Sequence, residues 1–318
     1  MRKPLPLLVL LALIWGSSFM FIKVAVRDLA PSTLILGRLG LAALALAAVV
    51  PPMLGARATA EGLRRHWRAL VLVGLVNTAL PFWLLSWGER RLDSGLASII
   101  QASVPIFNAL IAFGFFHEQR VTGRKLLGVL VGFLGVALLV GAQPHGKVLA
   151  AFAVVGMALC YACGGLLARH LLADAPPQVT ALGTTAVAAV VAAPAGIAQA
   201  TAPSWGAAAS VAVLGVVGTA LAYLLFFTII ARAGAAYASL VTYLVPPVAL
   251  AYGALFLGEH FGAVAFGGLA LIFAGVALGT GSRMRAWRSW RRGRWGTAGS
   301  TSLGASSTRA STAGTTDT

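Results

Sequence analysis

Charged residues are scarce in this chain of 318 residues, and acidic residues are scarcer still. Only 10% of the residues are charged, with 8 Asp and Glu against 24 Lys and Arg, whereas 59% are hydrophobic. Soluble domains carry about 25% charged residues, so the composition excludes an ordinary soluble protein. The basic excess does not indicate a nucleic-acid partner, because these residues are scattered between apolar runs or clustered in the C-terminal tail.

The sequence also lacks the motifs of cofactor-dependent and hydrolytic enzymes. It contains no phosphate-binding loop, no His-Glu-x-x-His motif, no paired carboxylates and no plausible Ser-His-Asp arrangement. Its two cysteines, Cys160 and Cys163, lie in one apolar segment and are interpreted as small packing residues. We therefore expect no enzymatic activity, no cofactor and no metal. A membrane enzyme that binds phosphate at an Arg-rich loop over residues 57–68 is the weaker alternative.

Long apolar runs are what the sequence has in abundance. A bilayer core of about 30 Å needs about 20 apolar residues per helix, and ten such runs occur. Their limits are 5–25, 31–50, 69–88, 94–116, 124–142, 147–168, 177–200, 206–230, 236–257 and 263–281. The runs lack the alternation of a transmembrane β-barrel. The sequence therefore predicts an all-α integral membrane protein with ten transmembrane helices, the first being a retained span rather than a cleaved signal peptide.

The basic residues are distributed unequally between the two sides of this predicted bundle. With a cytoplasmic N-terminus, 18 of the 24 Lys and Arg fall in cytoplasmic segments and 5 in external ones, and Arg38 lies inside the second run. Because cytoplasmic loops carry the excess of Lys and Arg, both termini are predicted to be cytoplasmic. The bias toward Ala, Gly and Arg is typical of GC-rich bacterial genomes, so we expect a multi-pass protein of the bacterial inner membrane.

The chain aligns with itself, which indicates an internal repeat of five spans. Residues 74–118 match residues 215–259 without gaps at 13 of 45 positions, and the identities include Thr, Arg, Ser, Pro and Glu. At a shift of 146 residues Pro31 meets Pro177. The predicted units are a first repeat over 5–142, a second over 147–281 and a tail over 282–318. An odd number of spans per unit makes the two repeats inverted, an architecture that recurs in secondary transporters.

The order and spacing of several short motifs complete this pattern. They are Ile14-Trp15-Gly16-Ser17-Ser18-Phe19, Gly37-Arg38, Ala97-Ser98 with Pro105, Ala238-Ser239 with Pro246, and Glu118 and Glu259 before glycine-rich spans. Over residues 5–281 the chain resembles the ten-span EamA-type transporters of the drug/metabolite transporter superfamily. The resemblance implies export or exchange of small metabolites, often amino acids, through a central cavity ringed mainly by spans 1, 3, 4, 6, 8 and 9.

Ionisable groups are few inside the predicted spans. All eight carboxylates lie at span ends, in links or in the tail, so facilitated diffusion or exchange is favoured over obligatory proton antiport. Proton antiport stays open because Glu89 lies just outside span 3. Arg38 is the one formal charge well within a span. Its guanidinium could bind a carboxylate of the substrate, or it could extend to the interface or bind carbonyls of a neighbouring helix.

Twelve residues are candidates for substrate binding because they are polar or aromatic and lie inside predicted spans, several beside carbonyls that a proline would free. They are Trp15, Ser18, Arg38, Asn77, Thr78, Gln101, Asn108, Tyr161, Thr219, Tyr223, Thr242 and Tyr243.

The tail has two parts with different compositions. Residues 283–295 contain six Arg and three Trp, and the remainder is rich in Ser, Thr, Gly and Ala. The basic part is expected either to anchor on anionic cytoplasmic lipid or to serve only as a stop-transfer signal after span 10.

Overall fold

The computed structural model describes residues 4–115 and 123–278, and in this part of the chain every regular element is a helix. The prediction of an all-α fold is confirmed. The helices are α1 (Leu5–Ala25), α2 (Pro31–Leu54), α3 (Ala56–Gly74), α4 (Leu80–Glu89), α5 (Ser94–Gln101), α6 (Val104–Phe115), α7 (Arg124–Gly141), α8 (His145–Leu171), α9 (Pro177–Ala198), α10 (Trp205–Gly215), α11 (Ala222–Ala233), α12 (Ala235–Ala238), α13 (Val241–Leu257) and α14 (Ala263–Leu278).

Seven helical segments are long and apolar enough to cross a bilayer, and three shorter apolar helices cover the other predicted spans. The shorter ones are 126–141, 241–257 and 263–278. Many large apolar side chains on the outside of the bundle are exposed, including Leu44, Leu130 and Val190. Such a surface is unusual for a soluble monomer and suits contact with lipid. The count of ten spans stays a prediction.

The Arg-rich segment before span 3 is helical, which corrects the expectation of a loop over residues 57–68. Helix α3 begins at Ala56 and continues into the apolar part of the span. Its arginines lie at the surface, where Arg57 pairs with Glu61 and Arg65 with Asp174. Ala, Arg, Leu and Glu are strong helix formers, so the segment forms helix although its low hydropathy resembles that of a loop.

Two π-helical turns interrupt the third and eighth predicted spans at equivalent places in the repeats. One covers Leu75–Ala79 between α3 and α4, and the other covers Val216–Leu221 between α10 and α11. A shift of 141 residues places Leu75 on Val216. Because π-turns are rare and concentrate at functional sites, their paired occurrence supports the repeat and indicates that the middle of both spans is specialised.

Helices of the first repeat pack against helices of the second. Helix α2 packs on its counterpart α9, α1 packs on α13, and α8 packs on α5 and α6. At the side of the bundle, α7 and α14 approach so closely that a Cβ on Gly275 would lie 2.6 Å from the backbone nitrogen of Gly132. The glycine-rich spans therefore form a close helix pair, in which small residues let the two backbones approach. The basic tail lies outside the described residues.

Candidate functional site

A cavity of about 470 Å³ lies between the repeats. Its lining comes from α1 to α6, α8, α9, α11, α13 and both π-turns, so the second and seventh spans contribute in addition to those expected. At one end the lining reaches Ala168, Thr180 and the exposed Ser239. This end, where α8 finishes and α9 and α13 begin, is called the open end below.

Nine of the twelve predicted residues line this cavity. They are Trp15, Ser18, Arg38, Asn77, Gln101, Tyr161, Thr219, Tyr223 and Thr242. The other three lie elsewhere. Thr78 is buried within the π-turn Leu75–Ala79, Asn108 is half-buried in α6, and the ring of Tyr243 packs against Phe273 with centroids 5.7 Å apart. All three occupy the correct spans but point away from the cavity, because a proline in the span does not determine which helix face is lined.

Arg38 is the one cation among the described residues that line the cavity, and it is only 5% exposed. Its Nε donates a hydrogen bond of 3.0 Å to Oγ1 of Thr219, and its guanidinium carbon lies 4.2 Å from the ring centre of Phe82. Among the described residues no carboxylate lies within ion-pair distance of Arg38. Within the described structure the side chain therefore neither extends to the interface nor binds a backbone carbonyl, and its charge has no anionic partner there.

The inverted repeat shows that this charge exists in one half only. At a shift of 146 residues Arg38 corresponds to Thr184, and at 141 residues Thr219 corresponds to Thr78. Thr184 bonds to carbonyls of its own helix, and Oγ1 of Thr78 is buried without a hydrogen-bond partner in the described structure. The equivalent of Thr219 in the other repeat is thus again a threonine, Thr78, but the equivalent of Arg38 is not an arginine, so Thr78 has no such donor. Because only one repeat supplies an arginine here, the positive charge lies on the α2 side of the cavity.

Aromatic rings form much of the remaining wall, and several of them were not among the predicted residues. Phe19, Phe82, Phe226 and Phe227 line the cavity, and Phe226 contacts Trp15 with ring centroids 5.4 Å apart. No sequence signal separates these phenylalanines from others that fill the core. A ring-lined space with a single cation suits a molecule that combines an apolar body with a negative group.

Small residues next to the π-turns determine where polar side chains enter the cavity. A Cβ on Gly218 would lie 3.0 Å from Oγ of Ser18, and a Cβ on Gly164 would lie 2.7 Å from Oδ1 of Asn77. Ser18 corresponds to Gly164 and Asn77 to Gly218 in the repeat. At each of these two helix contacts a glycine packs against a polar side chain. Both polar side chains, Ser18 and Asn77, line the cavity.

The opposite end of the bundle is closed by buried polar contacts. The Glu259 carboxylate accepts hydrogen bonds from the backbone nitrogens of Ser94 and Gly95 and from Oγ of Ser94, at 2.7, 3.1 and 2.9 Å. Nearby, Nζ of Lys23 donates to the carbonyl oxygens of Glu89 and Leu92. These contacts hold α1, α4 and α13 around the start of α5. This end is called the closed end below.

Glu89 lies at the closed end and corrects the expectation that it sits outside span 3. It is the last residue of α4 and is 0% exposed. Neither Oε1 nor Oε2 has a hydrogen-bond partner within the described part of the chain. Sequence reasoning placed the end of the span one residue too early, which is within the usual error of such boundaries.

The described residues do not contain a group of three or more His, Cys, Asp or Glu side chains that could hold a metal ion. The arrangement is thus a cavity with one cationic pole, aromatic walls and one accessible end.

Comparison with known proteins identifies the family. The model of the EamA-like transporter family matches residues 2–141 and again residues 148–280. The chain belongs to the EamA-like transporter family. It is therefore a multi-pass membrane protein with two EamA domains, in agreement with the resemblance seen in the sequence, and its general function is transport.

Two relatives that match over most of their length are transporters by name. A protein of Streptantibioticus cattleyicolor described as a probable terminal-alkyne amino-acid exporter is 33% identical over 278 residues, which cover 85% of this chain and 91% of that protein. An uncharacterized transporter of Archaeoglobus fulgidus is 26% identical over 83% of this chain and 94% of its own. A solved crystal structure matches with a TM-score of 0.62 at 18% identity, covering 86% of this chain and 96% of that chain. That structure shows a shared fold.

Proposed function

We propose that this EamA-family protein is a secondary transporter that exports or exchanges small metabolites carrying a carboxylate and an apolar body, such as amino acids or related compounds. Arg38 carries the proposal, since it is a buried cation in a cavity without an anionic partner in the described structure. A buried charge is unfavourable unless it is paired and hydrogen-bonded. A substrate carboxylate would supply that pair, and the planar guanidinium can hold it with two parallel hydrogen bonds.

The free donors of Arg38 support this assignment. Nε is already bonded to Thr219, which fixes one edge of the guanidinium, and the ring of Phe82 supports one face. The remaining N–H groups can therefore be presented to a ligand in a fixed orientation. The aromatic side chains can contact an apolar body, while Asn77, Gln101 and Thr242 can bind a second polar group such as an amine.

Two further observations favour amino acids or close analogues. The cavity volume lies within the range of small-molecule sites, about 300–1,000 Å³. The relative from Streptantibioticus cattleyicolor is described as a probable terminal-alkyne amino-acid exporter, and the match covers most of both chains.

Alternating access provides the transport step in this proposal. The cavity reaches the surface at the open end, while Glu259, Ser94 and Lys23 close the other. Inverted repeats can exchange conformations, which would close the open end and open the closed one. With both termini in the bacterial cytoplasm, as the charge distribution predicts, the open end faces the cytoplasm and can load substrate for export.

Counterflow in proteoliposomes tests the proposal. Vesicles containing purified protein and preloaded with L-propargylglycine should accumulate labelled L-propargylglycine, an amino acid with a terminal alkyne. Preloading with its carboxamide, which has the same apolar body but no carboxylate, should give no accumulation. Equal counterflow with the carboxamide would contradict carboxylate recognition, and no counterflow with any amino or organic acid in a wider panel would contradict the proposed substrate class.

A further inference from the structure

Two carboxyl groups at the closed end have opposite environments. Glu259 accepts three hydrogen bonds from Ser94 and Gly95. Glu89 is completely buried, and both of its carboxyl oxygens are without a partner among the residues described. A carboxylate surrounded by donors is stable as an anion, whereas a buried carboxylate without donors is not. The structure thus surrounds one of the two carboxyl groups with donors and buries the other without any among the described residues.

Charged groups approach Glu89 from several elements. Lys23 of α1, Arg38 of α2 and Glu259 after α13 interact with its carboxyl group, and Lys23 in turn interacts with Asp93 and with Lys147 of α8. Lys23 does not form an ion pair with Glu89 in this conformation, because its Nζ is bonded to the carbonyl oxygens of Glu89 and Leu92. Lys23 could therefore pair with an ionised Glu89, but in this conformation its ammonium group is bonded to backbone carbonyl oxygens.

We propose that Glu89 is a proton-binding site coupled to the substrate site at Arg38, so that a proton and the substrate carboxylate cross the membrane together. The inference rests on the proposed function for its substrate and adds the coupling ion and the direction of coupling. Glu89 follows the cavity residue Leu85 by one helical turn, and it follows Phe82, on which Arg38 stacks, by about 10 Å along the helix.

The sign of the coupling follows from the charges. An unoccupied Arg38 attracts the negative form of Glu89. When a substrate carboxylate binds Arg38, that attraction is cancelled and the neutral acid becomes more favourable, so substrate and proton stabilise each other's binding. Antiport would require the opposite relationship, in which each ligand displaces the other.

The proton is released when the closed end opens. Opening separates α1 from α4, so Lys23 leaves the carbonyl oxygens of Glu89 and Leu92 and becomes free to pair with the carboxyl group. The O–H bond of the acid then breaks, the proton passes to water, and the electron pair stays on the carboxylate beside the Lys23 ammonium. The substrate leaves through the same opening.

Infrared spectroscopy tests the proton site without any ligand. At neutral pH the reconstituted protein should show the C=O stretch of a protonated carboxyl group, and Glu89→Gln should remove it. Glu61→Gln is the control, since Glu61 is an exposed carboxyl group that pairs with Arg57 outside the closed end, and it should leave the band in place. Absence of the band in the wild type, or its persistence in Glu89→Gln, would overturn the assignment of the proton to Glu89.

Proton movement during transport tests the coupling. Vesicles loaded with L-propargylglycine and a pH-sensitive dye should become alkaline inside as the probe flows out, and a variant carrying Glu89→Gln should show a ratio of protons to probe near zero. Acidification, or probe efflux without any change of pH in the wild type, would overturn cotransport. If L-propargylglycine does not exchange at all, the proposed substrate class fails, while the infrared experiment still decides the role of Glu89.

Discussion

Glu259 holds the start of α5 through three hydrogen bonds, two of them from the backbone of Ser94 and Gly95 and one from the Ser94 hydroxyl. Glu259 belongs to the second repeat and Ser94 to the first. The carboxylate also lies at the N-terminus of α5, where the helix dipole favours a negative charge. Gly258 makes the arrangement possible, because its φ of +68° ends α13 and directs the chain back toward α5. The contact therefore joins the repeats where the cavity is closed.

Gly253→Ala should open the closed end without altering any charge. A Cβ at this position would collide with Oε2 of Glu259 and lie 3.1 Å from Oγ of Ser94. Hydrogen bonds to charged groups contribute about 1.5–3 kcal/mol each, so losing one should increase opening at least tenfold. The measurement is the rate at which a cysteine at Ile22, in a background with Cys160 and Cys163 replaced by Ala, reacts with an impermeant thiol reagent added from that side.

Gly165→Ala is the control for this measurement, because a Cβ at Gly165 meets no heavy atom within 4 Å. It should leave the labelling rate of the cysteine at Ile22 unchanged. Equal rates for both glycine variants would show that the Glu259 contacts do not keep this end closed.

The fold was more accessible to sequence reasoning than the chemistry of the cavity. Apolar runs and the repeat predicted the helices because lipid requires about 20 apolar residues per span. The π-turns around Thr78 and Thr219 could not be predicted, since they change hydrogen-bond register without changing hydropathy. The same holds for Glu89, whose burial depends on how α1 and α8 pack against α4. Arg38 was identifiable because an arginine within a span is unfavourable without a partner.

Thr219→Val should destabilise the protein, whereas Thr78→Val should not. Oγ1 of Thr219 accepts from Arg38 and donates to the Leu214 carbonyl, while Oγ1 of Thr78 has no partner in the described structure. Removing the first hydroxyl should lower the free energy of unfolding by about 1.5–3 kcal/mol, and removing the second should leave it within about 1 kcal/mol. Thermal unfolding in detergent compares the two, and equal losses would argue that Thr219 does not position Arg38.

Arg169 should close the open end in the alternate conformation, as Lys23 closes the other end here. Lys23 corresponds to Arg169 at a shift of 146 residues, and its acceptors Glu89 and Leu92 correspond to Ile230 and Ala233 at 141 residues. The side chain of Arg169 is exposed in the present structure. Arg169→Met should therefore increase the rate at which an impermeant thiol reagent, added at the open end during turnover, labels a cysteine at Ala181. Arg27→Met changes a cation outside this pairing and should leave that rate unchanged.

Reporter fusions test the predicted orientation. Fusions after residues 145 and 203 should report the outer side, and fusions after residues 60, 120, 173 and 281 should report the cytoplasm. The unequal distribution of Lys and Arg and the odd number of spans per repeat both require this pattern. Two adjacent links on the same side would contradict both the ten-span count and the inversion of the repeats.

Arg38→Lys and Arg38→Ala separate binding by Arg38 from a purely structural role. Lysine keeps the charge but cannot reproduce the bidentate guanidinium, the Nε bond to Thr219 or the stacking on Phe82. If Arg38 binds a carboxylate, the lysine variant should remain folded and lose at least tenfold in counterflow affinity, and the alanine variant should lose transport while remaining inserted in the membrane. Counterflow affinity and thermal stability should be measured together on both variants. A loss of stability with unchanged affinity in the residual protein would make Arg38 structural, and near-normal values of both quantities would remove it from the site.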